Sequence, residues 1–211
     1  MSIPHWVKEI KSLSRSSDMR KVKVDDCVCC GKLIDHDKIR DRILNEIEKD
    51  ICIETEDEEG NYLIDDKVSK LDWTKASDFT RPWVKTFLPH FDITIKGFLN
   101  ELGYPVYTLD EVWYQQYKEG DTHGWHTHGS SYTGVYYLEF PEGSSKTELY
   151  SPFNFKKHII KAKEGDLIIF PSHIIHRGPP NTSKRKTIIS FNFTIQFWNR
   201  AVKTKLIPVP K

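Results

Sequence analysis

Residues 124–140, GWHTHGSSYTGVYYLEF, place a His-x-His pair directly before an aromatic and β-branched run that is typical of a strand. The chain has nine histidines among 211 residues, and His123, His126 and His128 lie within six positions of one another. Side chains at i and i+2 of a strand point to the same side, so His126 and His128 at one strand end can share a metal ion. Such a site still requires a ligand from a distant part of the chain.

The segment FPSHIIHRGPP, residues 170–180, offers that distant ligand. His176 stands where the hydrophobic run DLIIF gives way to a polar turn, fifty residues after His126. Two ligands close in sequence and one far away leave metal positions open, as in the facial triad of non-haem iron enzymes. We therefore predict His126, His128 and His176 as metal ligands. His173 is better explained as an ordinary surface or core residue, and His123 as a loop or pocket-lining residue.

Composition limits the classes of partner. The 31 Lys and Arg against 30 Asp and Glu give a net charge of +1, which argues against general nucleic-acid binding. The chain has no apolar stretch of membrane-spanning length, and its first residues lack a hydrophobic signal core. The expectation is an intracellular, cytoplasmic protein without membrane contact, and the composition leaves the oligomeric state open.

Four cysteines lie in the first quarter of the chain, at positions 27, 29, 30 and 52. In a reducing compartment free thiols are the favoured interpretation. The C-x-x-C spacing of Cys27 and Cys30 also permits a small structural zinc site, with Cys52 or His36 completing it, but the second clean pair typical of such sites is missing.

The chain is organised as helices first and strands afterwards. Residues 35–50 have a helical apolar face, with Asp35 or Asp37 as the cap, and residues 80–103 have another, in which Pro89 should kink or split the helix. From residue 106 onward short strand-like runs alternate with turn sequences, which favours a sandwich, jelly roll or barrel. We predict one compact α+β domain, with a helical region at 1–105, a β-core at 106–200 and a loosely held tail at 201–211.

Residues 112–198 resemble the iron(II)- and 2-oxoglutarate-dependent dioxygenases, in their prolyl-hydroxylase-like branch. The similarity lies in YKEGDTHGWHTH, in the strand TGVYYLEF and in the closing segment EGDLIIFPSHIIHRGPPNTSKRKTIISFNF. It is strongest to small bacterial and viral members that have His-x-His followed by GVYYL. The resemblance implies a double-stranded β-helix, a cupin-like jelly roll, with the N-terminal helices as its buttress.

The resemblance also implies the iron ligands. His126 matches the first ligand and His176 the distal ligand, whereas His128 stands where the family normally has Asp or Glu. An imidazole there makes the site one negative charge poorer, because histidines must be neutral to coordinate. The three-histidine set also resembles thiol dioxygenases and catalytic zinc sites.

The distal carboxylate of 2-oxoglutarate needs a buried cation, for which Arg185 and Lys186 compete. Strand alternation puts Lys186 on the same face as Ser190 and Asn192, so we predict Lys186 as the anchor and Arg185 as the alternative. The resemblance implies three further pocket residues: Tyr137 as a hydroxyl donor to the same carboxylate, Tyr117 in the lining, and Asn192 near the iron-bound ligands.

The predicted function is an Fe(II)- and 2-oxoglutarate-dependent dioxygenase that consumes dioxygen and hydroxylates a protein or peptide side chain or a small metabolite. Two alternatives stay open. A cupin-type metalloenzyme without 2-oxoglutarate, such as a thiol dioxygenase or a zinc hydrolase, predicts that Lys186 and Arg185 are dispensable. A jelly-roll binding module without enzymatic activity predicts that the purified protein holds no stoichiometric metal.

Overall fold

The structure is a computed structural model that describes residues 28–50, 67–104, 106–151 and 156–196. The predicted tail at 201–211 lies outside the described residues, and so do Cys27 and Cys52 of the suggested zinc site. Neither Cys29 nor Cys30 forms a disulfide among the described residues, and Cys30 is exposed to solvent.

In the described residues, ten antiparallel strands form two sheets. The strands are β1 (Cys29–Lys32), β2 (Lys70–Leu71), β3 (Val106–Lys118), β4 (His123–His126), β5 (Tyr132–Glu139), β6 (Glu148–Tyr150), β7 (Lys157–Ile159), β8 (Asp166–Pro171), β9 (Ile175–Gly178) and β10 (Arg185–Gln196). The major sheet has the order β1-β8-β5-β10-β3-β2, and the minor sheet has the order β4-β9-β6-β7. These two sheets form the predicted double-stranded β-helix, so the fold prediction is confirmed. Strands β1 and β2 come from the region that the sequence pattern assigned to helices alone.

Two α-helices of the described residues cover the outer face of the major sheet: α1 (His36–Lys49) and α2 (Pro82–Glu101). In the predicted apolar face Phe87, Phe91 and Ile95 are buried, whereas Phe98 and Leu102 are partly buried. Phe91 meets Phe191 of β10 with ring centroids 4.7 Å apart. Pro89 lies inside α2 without splitting it, so the predicted split is wrong. We attribute the continuity to the buried stripe on both sides of Pro89, since its packing offsets the hydrogen bond that proline removes.

The start of α1 differs from the sequence expectation. Asp35 occupies the N-cap position, but its φ is 58° and its side chain makes no capping hydrogen bond. Its carboxylate pairs with Lys38 at 2.7 Å, and Asp37 pairs with Lys32 at 2.8 Å. The predicted carboxylate cap is therefore wrong, because both acidic side chains are drawn to neighbouring ammonium groups.

A buried ion pair ties α2 to the sheet. Asp72 accepts a hydrogen bond from Arg81, one from the indole of Trp83 at 3.1 Å and one from the backbone of Tyr114 at 2.7 Å. With Asp72 and Arg81 both buried, these contacts satisfy a carboxylate that would otherwise be costly to bury. The helix start is thereby fixed to β3, the strand that lines one side of the site.

Strand β5 carries a glycine that the packing requires. A Cβ on Gly134 would overlap with the Ile168 carbonyl oxygen and the Phe191 ring. We expect Gly134→Ala to lower the free energy of unfolding by about 1–3 kcal/mol, because overpacking a rigid core forces backbone shifts. Urea denaturation measures this change. As the control, Gly97→Ala in α2 has open space around its Cβ and should raise stability by about 0.5–1 kcal/mol. Equal stabilities for the two variants would contradict this packing argument.

None of the helices in the described part of the chain is long and apolar enough to cross a membrane.

Candidate active site

Three histidines converge at the open end of the β-helix. His126 is the last residue of β4 and lies directly opposite His176 of β9 in the antiparallel register. His128 follows two residues after the end of β4. One nitrogen from each ring lies within 4.8 Å of the others, which is close enough for a shared metal ion. The structure thus brings together all three predicted ligands, although His176 lies within a strand and not at the start of a turn.

Backbone carbonyls set the tautomers of two of these rings. His126 Nδ1 lies 2.7 Å from the Gly124 carbonyl oxygen, and His176 Nδ1 lies 2.9 Å from the Ile174 carbonyl oxygen. A carbonyl only accepts, so each Nδ1 carries the proton and each Nε2 presents its lone pair. This is the arrangement of imidazole that metal sites use to orient their ligands.

His128 has a different neighbour. Its Nε2 lies 3.2 Å from His176 Nε2, while its Nδ1 lies 3.3 Å from the Asn192 amide nitrogen, which also donates to Glu111 Oε2 at 2.7 Å. An amide nitrogen only donates, so this contact makes His128 Nδ1 an acceptor. Ligation through His128 Nε2 requires the Asn192 amide to turn its oxygen to His128. That Oδ1 is buried and has no partner among the described residues.

Burial keeps the imidazoles neutral. It lowers the pKa of His176 to about 2 and that of His128 to about 4, and the neighbouring histidines add to both shifts. Both rings are therefore uncharged at neutral pH. Coordination requires neutral imidazole, so these two rings already have the charge that a metal ligand needs, although His128 still has to change its tautomer.

A narrow cavity behind the histidines contains a buried lysine. Lys186 is 3 % exposed, and its ammonium donates to the Ser145 carbonyl oxygen at 3.1 Å and lies 4.2 Å from the centre of the Tyr117 ring. It forms no ion pair with any carboxylate of the described residues. Burial alone lowers the pKa of Lys186 to about 8. A buried cation without a carboxylate partner is costly, and an entering anion would relieve that cost.

Hydroxyl and amide groups complete the cavity. Tyr137 is fully buried and donates to Thr147 Oγ1 at 2.8 Å. Ser190 donates to Gln115 Oε1 at 3.0 Å, and the Gln115 amide nitrogen lies 3.0 Å from His123 Nδ1. The lining also includes Tyr117, His126, His128, Gly134, His176, Arg177 and Ile188.

Arg185 lies on the opposite face of β10, outside the cavity. Its guanidinium donates to both carboxylate oxygens of Glu139, at 2.8 and 2.9 Å, and to Glu48 at 2.9 Å. The alternation of β10 therefore separates the two candidate anchors: Lys186 faces the histidines, and Arg185 forms surface ion pairs.

A larger groove opens on the other side of the histidines, with a volume of about 910 Å³. It shares Trp113, Gln115, His123, His126 and His128 with the narrow cavity, and Asn192 lies in its wall. The histidine cluster thus separates two spaces, one narrow and cationic, the other wide and open.

Comparison with solved structures identifies the fold. A viral collagen prolyl hydroxylase from Paramecium Bursaria Chlorella virus-1 has a TM-score of 0.57 and 20% identity, over 80% of this chain and 96% of the other. A prolyl hydroxylase from Trichoplax adhaerens, solved with a hypoxia inducible factor peptide, has a TM-score of 0.58 and 16% identity, over 91% and 94%. The chain has the fold of the 2OG-Fe(II) oxygenases. No protein-family model and no curated protein matched the sequence.

One further structure shows that this oxygenase fold supports more than one reaction. The α-ketoglutarate-dependent epimerase SnoN from nogalamycin biosynthesis has a TM-score of 0.59 and 11% identity, over 81% of this chain and 78% of SnoN. Identities this low establish the fold alone, so the reaction must be argued from the site residues.

Sequence reasoning missed several residues of the site. Gln115 could have been found from strand alternation, since it lies two positions from Tyr117 on β3. No sequence pattern indicates Thr147 or Arg177 as cavity residues. Their place in the lining depends on the pairing of β6 with β9 in the minor sheet. Arg177 also pairs with Glu148 at 2.8 Å, which limits its availability as an anchor.

Proposed function

We propose that this protein is an Fe(II)- and 2-oxoglutarate-dependent dioxygenase that hydroxylates a C–H bond. One observation carries the proposal: Lys186, a buried cation without a carboxylate partner among the described residues, lines the same narrow cavity as three convergent histidines. A metal site alone explains the histidines but leaves the lysine unexplained. A dicarboxylate that contacts a metal ion on the histidines at one end and Lys186 at the other end explains both features.

The residues fit this cofactor set. Nε2 of His126 and of His176 is available for Fe(II), and His128 becomes available when the Asn192 amide turns. Lys186 would hold the distal carboxylate of 2-oxoglutarate, with hydroxyls of Tyr137 and Thr147 beside it. When bound, Fe(II) and 2-oxoglutarate activate dioxygen for oxidation of a C–H bond, with succinate and carbon dioxide as the coproducts.

Entry of the cosubstrate requires movement of side chains. The narrow cavity has a volume of about 30 Å³, which is room for one or two waters. The Lys186 ammonium donates to the neutral Ser145 carbonyl oxygen, and a carboxylate in its place would form an ion pair with the same ammonium. We therefore expect Lys186 to leave Ser145 when the dicarboxylate binds.

The proposed primary substrate is a protein or peptide side chain or a small metabolite, and it would enter by the wide groove. That groove is the open approach to the histidines on the side away from Lys186. The aromatic walls of both spaces would keep water from the reacting atoms.

Anaerobic spectroscopy tests the proposed function. Fe(II) added with 2-oxoglutarate should give a visible charge-transfer band, and air should then give succinate. Absence of both the band and succinate from the wild-type protein would contradict the proposal. A three-histidine enzyme without 2-oxoglutarate would instead bind metal, show no such band and tolerate Lys186→Ala.

The pH dependence of cosubstrate binding follows from Lys186. Burial lowers the pKa of Lys186 to about 8, so the metal-loaded protein should bind 2-oxoglutarate more weakly as pH rises above about 8. Only the protonated amine can hold the carboxylate, and the loss approaches tenfold per pH unit until the pKa of the complex is reached. Anaerobic calorimetry from pH 6.5 to 9.5 measures this. Lys186→Arg should flatten the profile, and a flat wild-type profile would refute the role of Lys186.

A carboxylate at position 128 tests the third ligand. The Asn192 amide nitrogen already faces position 128 as a donor, which suits a carboxylate. We expect His128→Asp to keep or tighten Fe(II) binding, because it restores a negative charge to the site. Calorimetric titration under anaerobic conditions measures the affinity. Loss of all metal binding in this variant would show that residue 128 is not placed as a ligand.

A further inference from the structure

We propose that the primary substrate is a peptide segment that carries a lysine or arginine next to the oxidised carbon. This inference rests on the proposed function and concerns the wide groove, which we call the acidic groove. Its lining is Val68, Leu71, Trp73, Ser77, Asp110, Glu111, Trp113, Gln115, His123, His126, Thr127, His128, Gly129, Ser130 and Asn192.

The charge of the acidic groove comes from two half-buried carboxylates. Asp110 accepts hydrogen bonds from Ser130 at 2.8 Å and Thr194 at 2.7 Å, and Glu111 accepts one from Asn192. All these donors are neutral, and neither carboxylate forms an ion pair within the described part of the chain. Among the described residues, the groove lining contains no lysine or arginine. Two carboxylates without a cationic partner in this part of the chain therefore line the groove, where a cation is favoured over a neutral group.

The two spaces that meet at the histidines have opposite charge. In the described part of the chain, the narrow cavity is lined by Lys186 and Arg177 and by no carboxylate, whereas the acidic groove is lined by Asp110 and Glu111 and by no lysine or arginine. A dicarboxylate is therefore attracted to the first space and repelled from the second. The opposite charges of the two spaces therefore favour the dicarboxylate in the narrow cavity and a positively charged molecule in the acidic groove.

Asn192 supplies a second, independent sign of a missing donor. It is 4 % exposed and lies in the groove wall, and its Oδ1 has no hydrogen-bond partner among the described residues. If the amide turns this oxygen to His128, Glu111 loses the donor that it now has. In either orientation, Asn192 Oδ1 or Glu111 Oε2 lacks a donor among the described residues. An ammonium or guanidinium group brings several N–H donors to this point.

The size and aromatic character of the acidic groove favour a peptide over a free amine. A volume of about 910 Å³ is near the upper end of small-molecule sites, so several residues are needed to fill it. Trp73 is 57 % exposed and Trp113 is buried in the wall. Indole faces contact the aliphatic stem of a lysine or the plane of an arginine, and such contacts add to charge pairing.

Peptide binding without turnover tests this proposal. The full chain, loaded anaerobically with Mn(II) and 2-oxoglutarate, is titrated with fluorescent Ala/Gly host peptides that carry a central Lys, Arg, Gln or Glu. The Lys or Arg peptide should bind at least about tenfold more tightly than the Gln peptide, the Glu peptide should bind most weakly, and added salt should reduce the difference.

Charge-neutralising variants test whether the acidic groove causes the preference for Lys or Arg peptides. Glu111→Gln and Asp110→Asn should each reduce the preference for Lys or Arg over Gln to below about threefold. Glu119→Gln, an exposed carboxylate outside the groove, is the matched control and should leave the preference unchanged. Mn(II) and 2-oxoglutarate affinities are measured in every variant, so a failure of the substrate proposal is distinguished from a failure of the proposed function.

Three results would overturn the proposal. The first is equal binding of the Lys, Arg and Gln peptides. The second is a preference for Lys or Arg over Gln that persists in both groove variants while metal and 2-oxoglutarate still bind. The third is displacement of the Lys peptide by n-butylamine at a concentration similar to that of the peptide. The last result would mean that a free amine fills the site. A cation preference that persists in a protein without metal or 2-oxoglutarate binding would support the groove assignment and refute the oxygenase function.

Discussion

Lys186→Ala should raise the dissociation constant for 2-oxoglutarate by about 30- to 3000-fold while metal binding persists. Removing one partner of a buried charge pair costs about 2–5 kcal/mol, and each 1.4 kcal/mol is a factor of ten. Lys186 is the only lysine among the described residues that line the narrow cavity, and no described carboxylate pairs with it. The loss would be measured by anaerobic calorimetry on the Mn(II)-loaded protein.

The neighbouring Arg185 provides a matched control. It is also basic and one residue away, but its guanidinium is paired with Glu139 and Glu48 on the surface. Arg185→Ala should therefore change 2-oxoglutarate affinity by less than about threefold, since exposed pairs contribute little. Lys186→Met is a second control, because methionine fills about the same space as lysine without its charge. It separates loss of the ammonium group from collapse of the cavity in the alanine variant. The reverse ranking of Lys186 and Arg185 would mean that the wrong face of β10 had been chosen.

His176→Ala should reduce Fe(II) affinity by at least about 100-fold and abolish the charge-transfer band. Residues that only orient a ligand already contribute 10- to 100-fold, so loss of a ligand should cost at least as much. His176 is 5 % exposed, and its Nδ1 contact with Ile174 directs Nε2 to the shared point. Metal stoichiometry and affinity are measured by titration under anaerobic conditions.

His173 lies three residues before His176 and is exposed to solvent, so His173→Ala is the control for this variant. It should bind metal like the wild-type protein. Because removal of a buried ring can also loosen the fold, thermal unfolding of both variants should be compared. A folded His176→Ala protein with wild-type metal affinity would exclude His176 as a ligand.

The site could be predicted from sequence where one local rule governs it. Alternation along β10 placed Lys186, Ser190 and Asn192 on the face of the histidines, and the structure has them there. His126 and His128 lie close together, but His128 follows the end of β4, so the i, i+2 rule of a strand does not account for its place. The position of His176 after a hydrophobic strand predicted it as the distant ligand, but no local pattern predicts that β4 and β9 pair with His126 opposite His176.

The unpredicted features depend on long-range register. Glu111 faces Asn192 because β3 and β10 pair there, directly before the register shift between Asn192 and Phe193. A shift of one residue would have moved Glu111 to the other face and left the groove without half of its charge. The failed cap at Asp35 has a similar origin, since its carboxylate also faces His90, 3.5 Å away on the second helix. Sequence patterns alone contain neither of these pairings.

The central claim is that one metal ion and one dicarboxylate share the narrow cavity. A crystal structure of the protein grown anaerobically with Fe(II) and 2-oxoglutarate tests it most directly. We predict one metal ion on Nε2 of His126, His128 and His176, and the distal carboxylate of 2-oxoglutarate within hydrogen-bond distance of Lys186 Nζ. A metal ion bound elsewhere, or the carboxylate paired with Arg185 instead of Lys186, would contradict the account.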